Sequence, residues 1–189
     1  MKANENFHRY GVTLKPLAVD MLDTVRQWRN DPQIAQHMLD QTFITLEMQQ
    51  RWFEKLKHDD SRRYWVVWFK GDAIGVASLV SIQGDRSWAE PGMYIYPVQY
   101  RNNILPFCAA FALNDFAFEE LKLKMLVGKI FMSNEASVRF HQRSGYIEMP
   151  QEAIMNVPKV EGLGLRYYVL TQDAYETAKA PIARFIRYD

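Results

Sequence analysis

The chain has 189 residues, 48% of them hydrophobic, enough for a full core in one domain without a disulfide or metal staple. Lys and Arg number 23 against 22 Asp and Glu, so a strongly basic nucleic-acid surface is not indicated. The single cysteine, Cys108, excludes a disulfide framework, and its setting Phe107-Cys108-Ala109-Ala110-Phe111 reads as a buried, inert thiol.

Met1 to Tyr10 carries Lys2, Glu5, His8 and Arg9 and no apolar stretch of the kind a secretory signal needs. No apolar run approaches the roughly 18 residues of a spanning helix, so the expectation is a cytoplasmic protein without a membrane partner. Val12 to Leu17 reads as a strand. Asp20 is the expected cap of a helix carrying Leu22, Val25 and Trp28/Arg29 on one side, ended by Asn30-Asp31-Pro32. Thr45 caps a second helix, with Met48, Trp52 and Leu56 as its apolar face. The period then changes. Tyr64 to Phe69 and Ala73 to Val80 form a hairpin about Gly71-Asp72. Gly84-Asp85 marks a further turn, and Gly92 to Pro97 another strand.

Pro106 suits the first position of a helix whose one face is Phe107, Ala110, Phe111, Ala117, Phe118 and Leu121. Met125 to Phe131 is a strand. Ser133 is the expected cap of a short helix stopping at Gly145, a residue suited to the left-handed conformation after a helix. Leu165 to Leu170 is a late strand, and residues 171–189 read as helical. The succession predicts an α+β fold with one mixed sheet of about seven strands flanked by helices. No repeat or linker interrupts it, so residues 1–189 are expected to form a single domain with its core over about 10–170.

That order resembles the GNAT superfamily of N-acetyltransferases. The likeness rests on Phe116-Ala-Phe-Glu-Glu-Leu-Lys-Leu-Lys-Met-Leu and on Asn134-Glu-Ala-Ser-Val-Arg-Phe-His-Gln-Arg-Ser-Gly145-Tyr146. Members of its ribosomal-protein acetyltransferase branch carry a block Asn-x-x-Ser-x-x-(apolar)-Tyr-x-x-x-Gly-Phe. Here the spacing is intact, with His141 in the tyrosine slot and Tyr146 in the phenylalanine slot. A second region, Pro97 to Pro106, is similar to the loop Arg/Gln-x-x-Gly-x-Gly/Ala whose amides bind the pyrophosphate of coenzyme A. It departs from that pattern by placing Ile104 and Pro106 at the glycine slots. In the first third, Trp28-Arg29-Asn30-Asp31-Pro32, Met38, Phe43-Ile44-Thr45-Leu46, Trp52-Phe53 and Arg63-Tyr64 look like the amino-sugar acetyltransferases of the pseudaminic-acid pathway, which acetylate a UDP-linked sugar.

The resemblance implies direct attack of a neutral amine on the thioester of acetyl-CoA, with no metal. It assigns Ile95, Arg101, Asn102, Asn103, Ile104, Leu105 and Asn134 to the donor. His141 becomes the acid for the leaving thiolate, with Glu90, Tyr94 or a water chain as base. A backbone N–H near Tyr94 or Ile95, between two strands that splay apart, would polarise the thioester. Arg29 and Asn30 fall to the acceptor, Arg29 because its fork pairs with phosphate oxygens. Each has a structural reading beside the functional one: His141 as a helix-face residue beside Phe140, Asn134 as an ordinary helix-entry residue, Glu90 as a solvated strand entry and Arg29 as a surface helix-end arginine. The acceptor implied is a small-molecule amine, foremost a nucleotide-linked amino sugar. The alternatives are the N-terminus of a ribosomal or other protein, or a GNAT-fold binding module that has lost catalysis. A homodimer is compatible with the resemblance.

Overall fold

The computed structural model describes residues 5–153, 157 and 164–188. Its strands are β1 (Phe7–Arg9), β2 (Val12–Pro16), β3 (Arg63–Phe69), β4 (Asp72–Val80), β5 (Trp88–Ile95), β6 (Met125–Phe131), β7 (Ile147–Met149) and β8 (Leu165–Thr171). They form one eight-stranded mixed sheet in the order β1-β2-β3-β4-β5-β6-β8-β7, in which only β5 and β6 run parallel. The eighth strand, β1, lies in the N-terminal stretch that carries no alternating apolar pattern. It pairs with β2 across a tight turn where Tyr10 and Gly11 both take positive φ (54° and 73°).

Helices cover both faces. α1 (Leu22–Asn30) and α3 (Leu46–Leu56) bury Leu22, Val25 and Phe53 against Val66 and Val76. The short α2 (Pro32–Ala35) follows α1 directly, capped by Asp31, whose carboxylate accepts from the Gln33 N–H. On the other face lie α4 (Leu105–Asp115), α5 (Glu135–Arg143) and α6 (Gln172–Ala183), packed on the cluster of Phe111, Leu126, Tyr168 and Tyr175.

Several local expectations shift. Asp20 does not cap α1: it sits in a one-turn 3-10 helix, and Met21 precedes α1 with no side-chain cap. Thr45 does cap α3, accepting from the Met48 N–H at 3.2 Å. Trp52 and Leu56 pack partly buried on the core as expected, but the fully buried residues of α3 are Gln49 and Phe53, and Met48 is exposed. The β3–β4 turn centres on Lys70-Gly71, one residue earlier than read, because both take the positive φ such a turn demands. α4 starts at Leu105, so Pro106 is its second residue. It is buried on all sides, since β1, β2, α6 and the sheet enclose it, and it continues into a π-helical turn over Phe116–Glu120. Asn134, not Ser133, caps α5, because its Oδ1 reaches the Ser137 N–H at 3.0 Å. The α5 stop is as read. Gly145 has φ 92°, its N–H donates to Gln142, and the Tyr146 N–H donates to His141. Cys108 is fully buried, and burial pushes its thiol up to about 11, so it stays protonated and unreactive.

Candidate active site

The site begins with a proline. β5 and β6 pair only at Trp88↔Met125 and Ala89↔Leu126, although both strands run on for five or more residues. Tyr96 donates its N–H to Ile74 on β4, and the Ile95 carbonyl accepts instead from Arg101 Nε at 2.8 Å. By strand alternation, residues 91, 93 and 95 turn their backbone groups toward β6. Pro91 has no N–H to give, so the ladder ends there and the strands part. The read strand began at Gly92; its actual start at Trp88 is what puts Pro91 inside it.

The gap opens into a cavity of about 740 Å³ that draws on both faces of the sheet. Toward α4 and α5 it is lined by Pro106, Ala110, Asn114, Gly128, His141 and Tyr146; toward α1 and α2, by Arg29, Ile34, Met38, Tyr64, Glu90 and Tyr94. The structure thus brings His141, Tyr94, Glu90, Ile95, Arg101, Asn134 and Arg29 around one space. Of the two backbone positions considered for the thioester, Ile95 faces the gap and Tyr94 faces β4.

The remaining expected residues are differently engaged. Asn30 spends its carboxamide on the Ile44 backbone, accepting from its N–H and donating to its carbonyl at 2.8 Å each, and so ties α1 to the segment before α3. Arg101 donates to the carbonyls of Ile95 and Tyr96 and to Gln33 Oε1, fastening the end of β5 to α2. Asn103 Oδ1 caps the Leu105 N–H at 2.8 Å. With Pro106 next, two of the first amides of α4 are unavailable to an anion. Asn102, Asn103, Ile104 and Leu105 lie outside the cavity lining. Asn134 faces it, and its Nδ2 donates to His37 Nδ1 at 3.3 Å, linking α5 to the end of α2.

Glu90 is bonded to Lys129 Nζ at 2.7 Å, an ion pair that spans the two parting strands on the α1 side. Tyr94 Oη is buried without a partner, and burial raises its pKa well above that of a free phenol. It therefore remains a hydroxyl donor near neutral pH and is not a base. Arg29 donates one Nη to the Asp40 carbonyl, while Nη1 is buried and unpartnered. His141 Nδ1–H donates to the Ser137 carbonyl at 2.8 Å, and burial lowers its pKa below the ordinary 6.5. The sequence reading missed Lys129, Tyr64, Asn114 and Tyr146 as lining residues. Tyr146 and Tyr64 fell within the resemblance motifs without being given a role, and Asn114 left a signal as a polar residue in the apolar run from Leu105 to Phe118.

Residues 12–147 match the model of the acetyltransferase (GNAT) domain. In sequence the chain is similar to acetyltransferase PseH of Campylobacter jejuni, 28% identical over 66% of this chain and 76% of the relative. It is also similar to spermidine N(1)-acetyltransferase of Escherichia coli K12, 26% identical over 72% of this chain and 73% of the relative. In fold it resembles the solved structure of apo FdhC, a nucleotide-linked sugar GNAT, with a TM-score of 0.77 and 16% identity over 97% of this chain and 99% of that one.

Proposed function

The chain belongs to the GNAT acetyltransferase family, whose enzymes use acetyl-CoA as donor, and on that premise we propose that its acceptor is an amine on an anionic small molecule, foremost a nucleotide-linked amino sugar. The observation that carries this is the charge of the α1-side half of the cavity. Arg29 presents a buried Nη1 and Tyr94 a buried hydroxyl, and neither has a partner among the described residues. Leaving two buried donors unpaired costs about 1–3 kcal/mol each, which a bound phosphate or sugar oxygen would offset. Glu90 is the single carboxylate among the described lining residues, and Lys129 neutralises it. A polyamine, by contrast, needs several unpaired carboxylates, so the spermidine enzyme's acceptor fits this cavity poorly. The family's nucleotide-sugar member adds support at the level of fold alone.

In this reading the Ile95 N–H polarises the thioester carbonyl and the Glu90 carboxylate orients the incoming amine. The test is acetyl transfer from acetyl-CoA to a UDP-linked 4-amino sugar and to spermidine in parallel. The sugar is expected to show the higher kcat/KM. A preference for spermidine would overturn the acceptor assignment while leaving the donor intact. Arg29→Ala should raise KM for the UDP-sugar about 10-fold or more, the scale of one charge-assisted bond, and hardly change KM for a simple amine. Equal changes for both would make Arg29 structural.

A further inference from the structure

Six buried side-chain polar atoms lack a partner among the described residues, and three of them line this one cavity. Arg29 Nη1 and Tyr94 Oη lie on the α1 side. The third, Asn114 Nδ2, lies on the opposite side, in the wall formed by α4. Asn114 is only 2% exposed, in a helix otherwise apolar apart from the adjacent Asp115. A carboxamide is costly in such a place unless something hydrogen-bonds it. No group among the described residues does so for its nitrogen, so the natural partner is a ligand oxygen.

The position along α4 says which oxygen. Asn114 is nine residues beyond Leu105, about 14 Å along the axis from the helix start. A donor whose pyrophosphate sits near that start would lay its pantetheine arm along α4 toward the gap between β5 and β6. Amide and thioester carbonyls then pass Asn114. Its aim is also fixed from behind. Asp115 points about 100° away around the helix, where Tyr10, Tyr175 and Lys179 all donate to its carboxylate. A π-helical turn begins directly after it, a distortion of the kind often found at functional sites.

We propose that Asn114 is a binding residue for the donor, hydrogen-bonding a carbonyl oxygen of the pantetheine arm or thioester through its Nδ2. The Asp115 cluster is the positioning element that holds α4 in the rotation presenting it. The inference rests on acetyl-CoA being the molecule bound here, and the experiment separates the two. Acetyl-CoA and the adenosine bisphosphate fragment of coenzyme A, which lacks pantetheine, are titrated calorimetrically into the wild type, Asn114→Leu and Asn114→Ala.

The expected result is acetyl-CoA affinity lowered roughly 3- to 10-fold in both variants, the worth of one hydrogen bond, with fragment affinity unchanged. Asn114→Leu should also keep or raise the ligand-free melting midpoint, since it removes an unpaired buried polar group. Unchanged acetyl-CoA affinity, or equal losses for acetyl-CoA and fragment, would overturn the role of Asn114 and leave the donor assignment standing. A wild type that binds no acetyl-CoA would overturn both. Asn114→Ala keeps the test readable if the leucine variant does not fold. Asp115→Asn should weaken acetyl-CoA alone but add nothing in the Asn114→Leu background; an additive loss would separate the cluster from the contact.

Discussion

Asp115→Ala is expected to destabilise the protein by about 3–5 kcal/mol. The carboxylate is 3% exposed and holds three donors from distant parts of the chain. Tyr10 Oη reaches it at 2.6 Å from the β1–β2 turn, and Tyr175 Oη and Lys179 Nζ reach it from α6. Removing it leaves the Lys179 ammonium, 14% exposed, with Glu176 alone and the Tyr175 hydroxyl with the Phe111 carbonyl alone, and takes from Tyr10 the acceptor of its phenol. Tyr10 adds to the cost. It occupies the left-handed region at φ 54°, which disfavours a side chain, and its bond to Asp115 offsets that penalty. Denaturant unfolding is the measurement, and at this chain length the midpoint of thermal unfolding should fall by about 10 °C. A loss below about 1 kcal/mol would mean that the cluster is no more than a solvated surface pairing. Lys179→Met should cost less than Asp115→Ala, because Asp115 then keeps both hydroxyl donors.

That cluster also shows where the sequence stops being legible. The donors to Asp115 sit at positions 10, 175 and 179, and no local pattern joins them. What could be read was local chemistry with fixed spacing. The block from Asn134 to Tyr146 carries its own cap and stop, and both form, with the cap one residue later than expected. The strands with β-branched and aromatic runs fall close to their expected places. The short edge strands β1 and β7 are three residues each, too short for alternation to declare itself. At the site, residue identity suggested chemistry, and tertiary pairing then redirected much of it. Arg101 looked like a phosphate ligand, yet its fork closes on the carbonyls of Ile95 and Tyr96. Glu90 looked like a free base and is bonded to Lys129, 39 residues along the chain. Asn30 looked like an acceptor contact and instead fastens Ile44. Pro91 is the opposite case. A proline within a strand predicts a broken ladder on one side, and here that break is the opening of the cavity.

His141→Ala is expected to lower kcat about 100-fold or more while leaving acetyl-CoA affinity nearly unchanged. The geometry changes the chemical role from the one its slot implies. Because Nδ1–H donates to the Ser137 carbonyl, the neutral ring carries its lone pair on Nε2. The ring lies over Gly128 of β6, where a Cβ would come within 3.4 Å of Nε2, and its edge meets Tyr146 with centroids 4.8 Å apart. Burial against these groups lowers its pKa, so near neutral pH the resting imidazole has no proton to donate. The role we propose for it is to accept one first: Nε2 would take the proton from nitrogen as the amine attacks the thioester, and the imidazolium would return it to sulfur as the C–S bond breaks, leaving amide and free thiol. Protonation at low pH blocks the first half of this relay. The wild type should therefore show an acid limb with its midpoint below 6.5, distinct from the ionisation of the acceptor amine, and His141→Ala should lack it. His141→Tyr should recover part of the rate by donating directly to sulfur, and without that limb. His141→Gln, which can hydrogen-bond but cannot carry a proton, should stay as slow as alanine. A glutamine variant at the wild-type rate would mean that water moves the proton and that His141 only packs the α5 face.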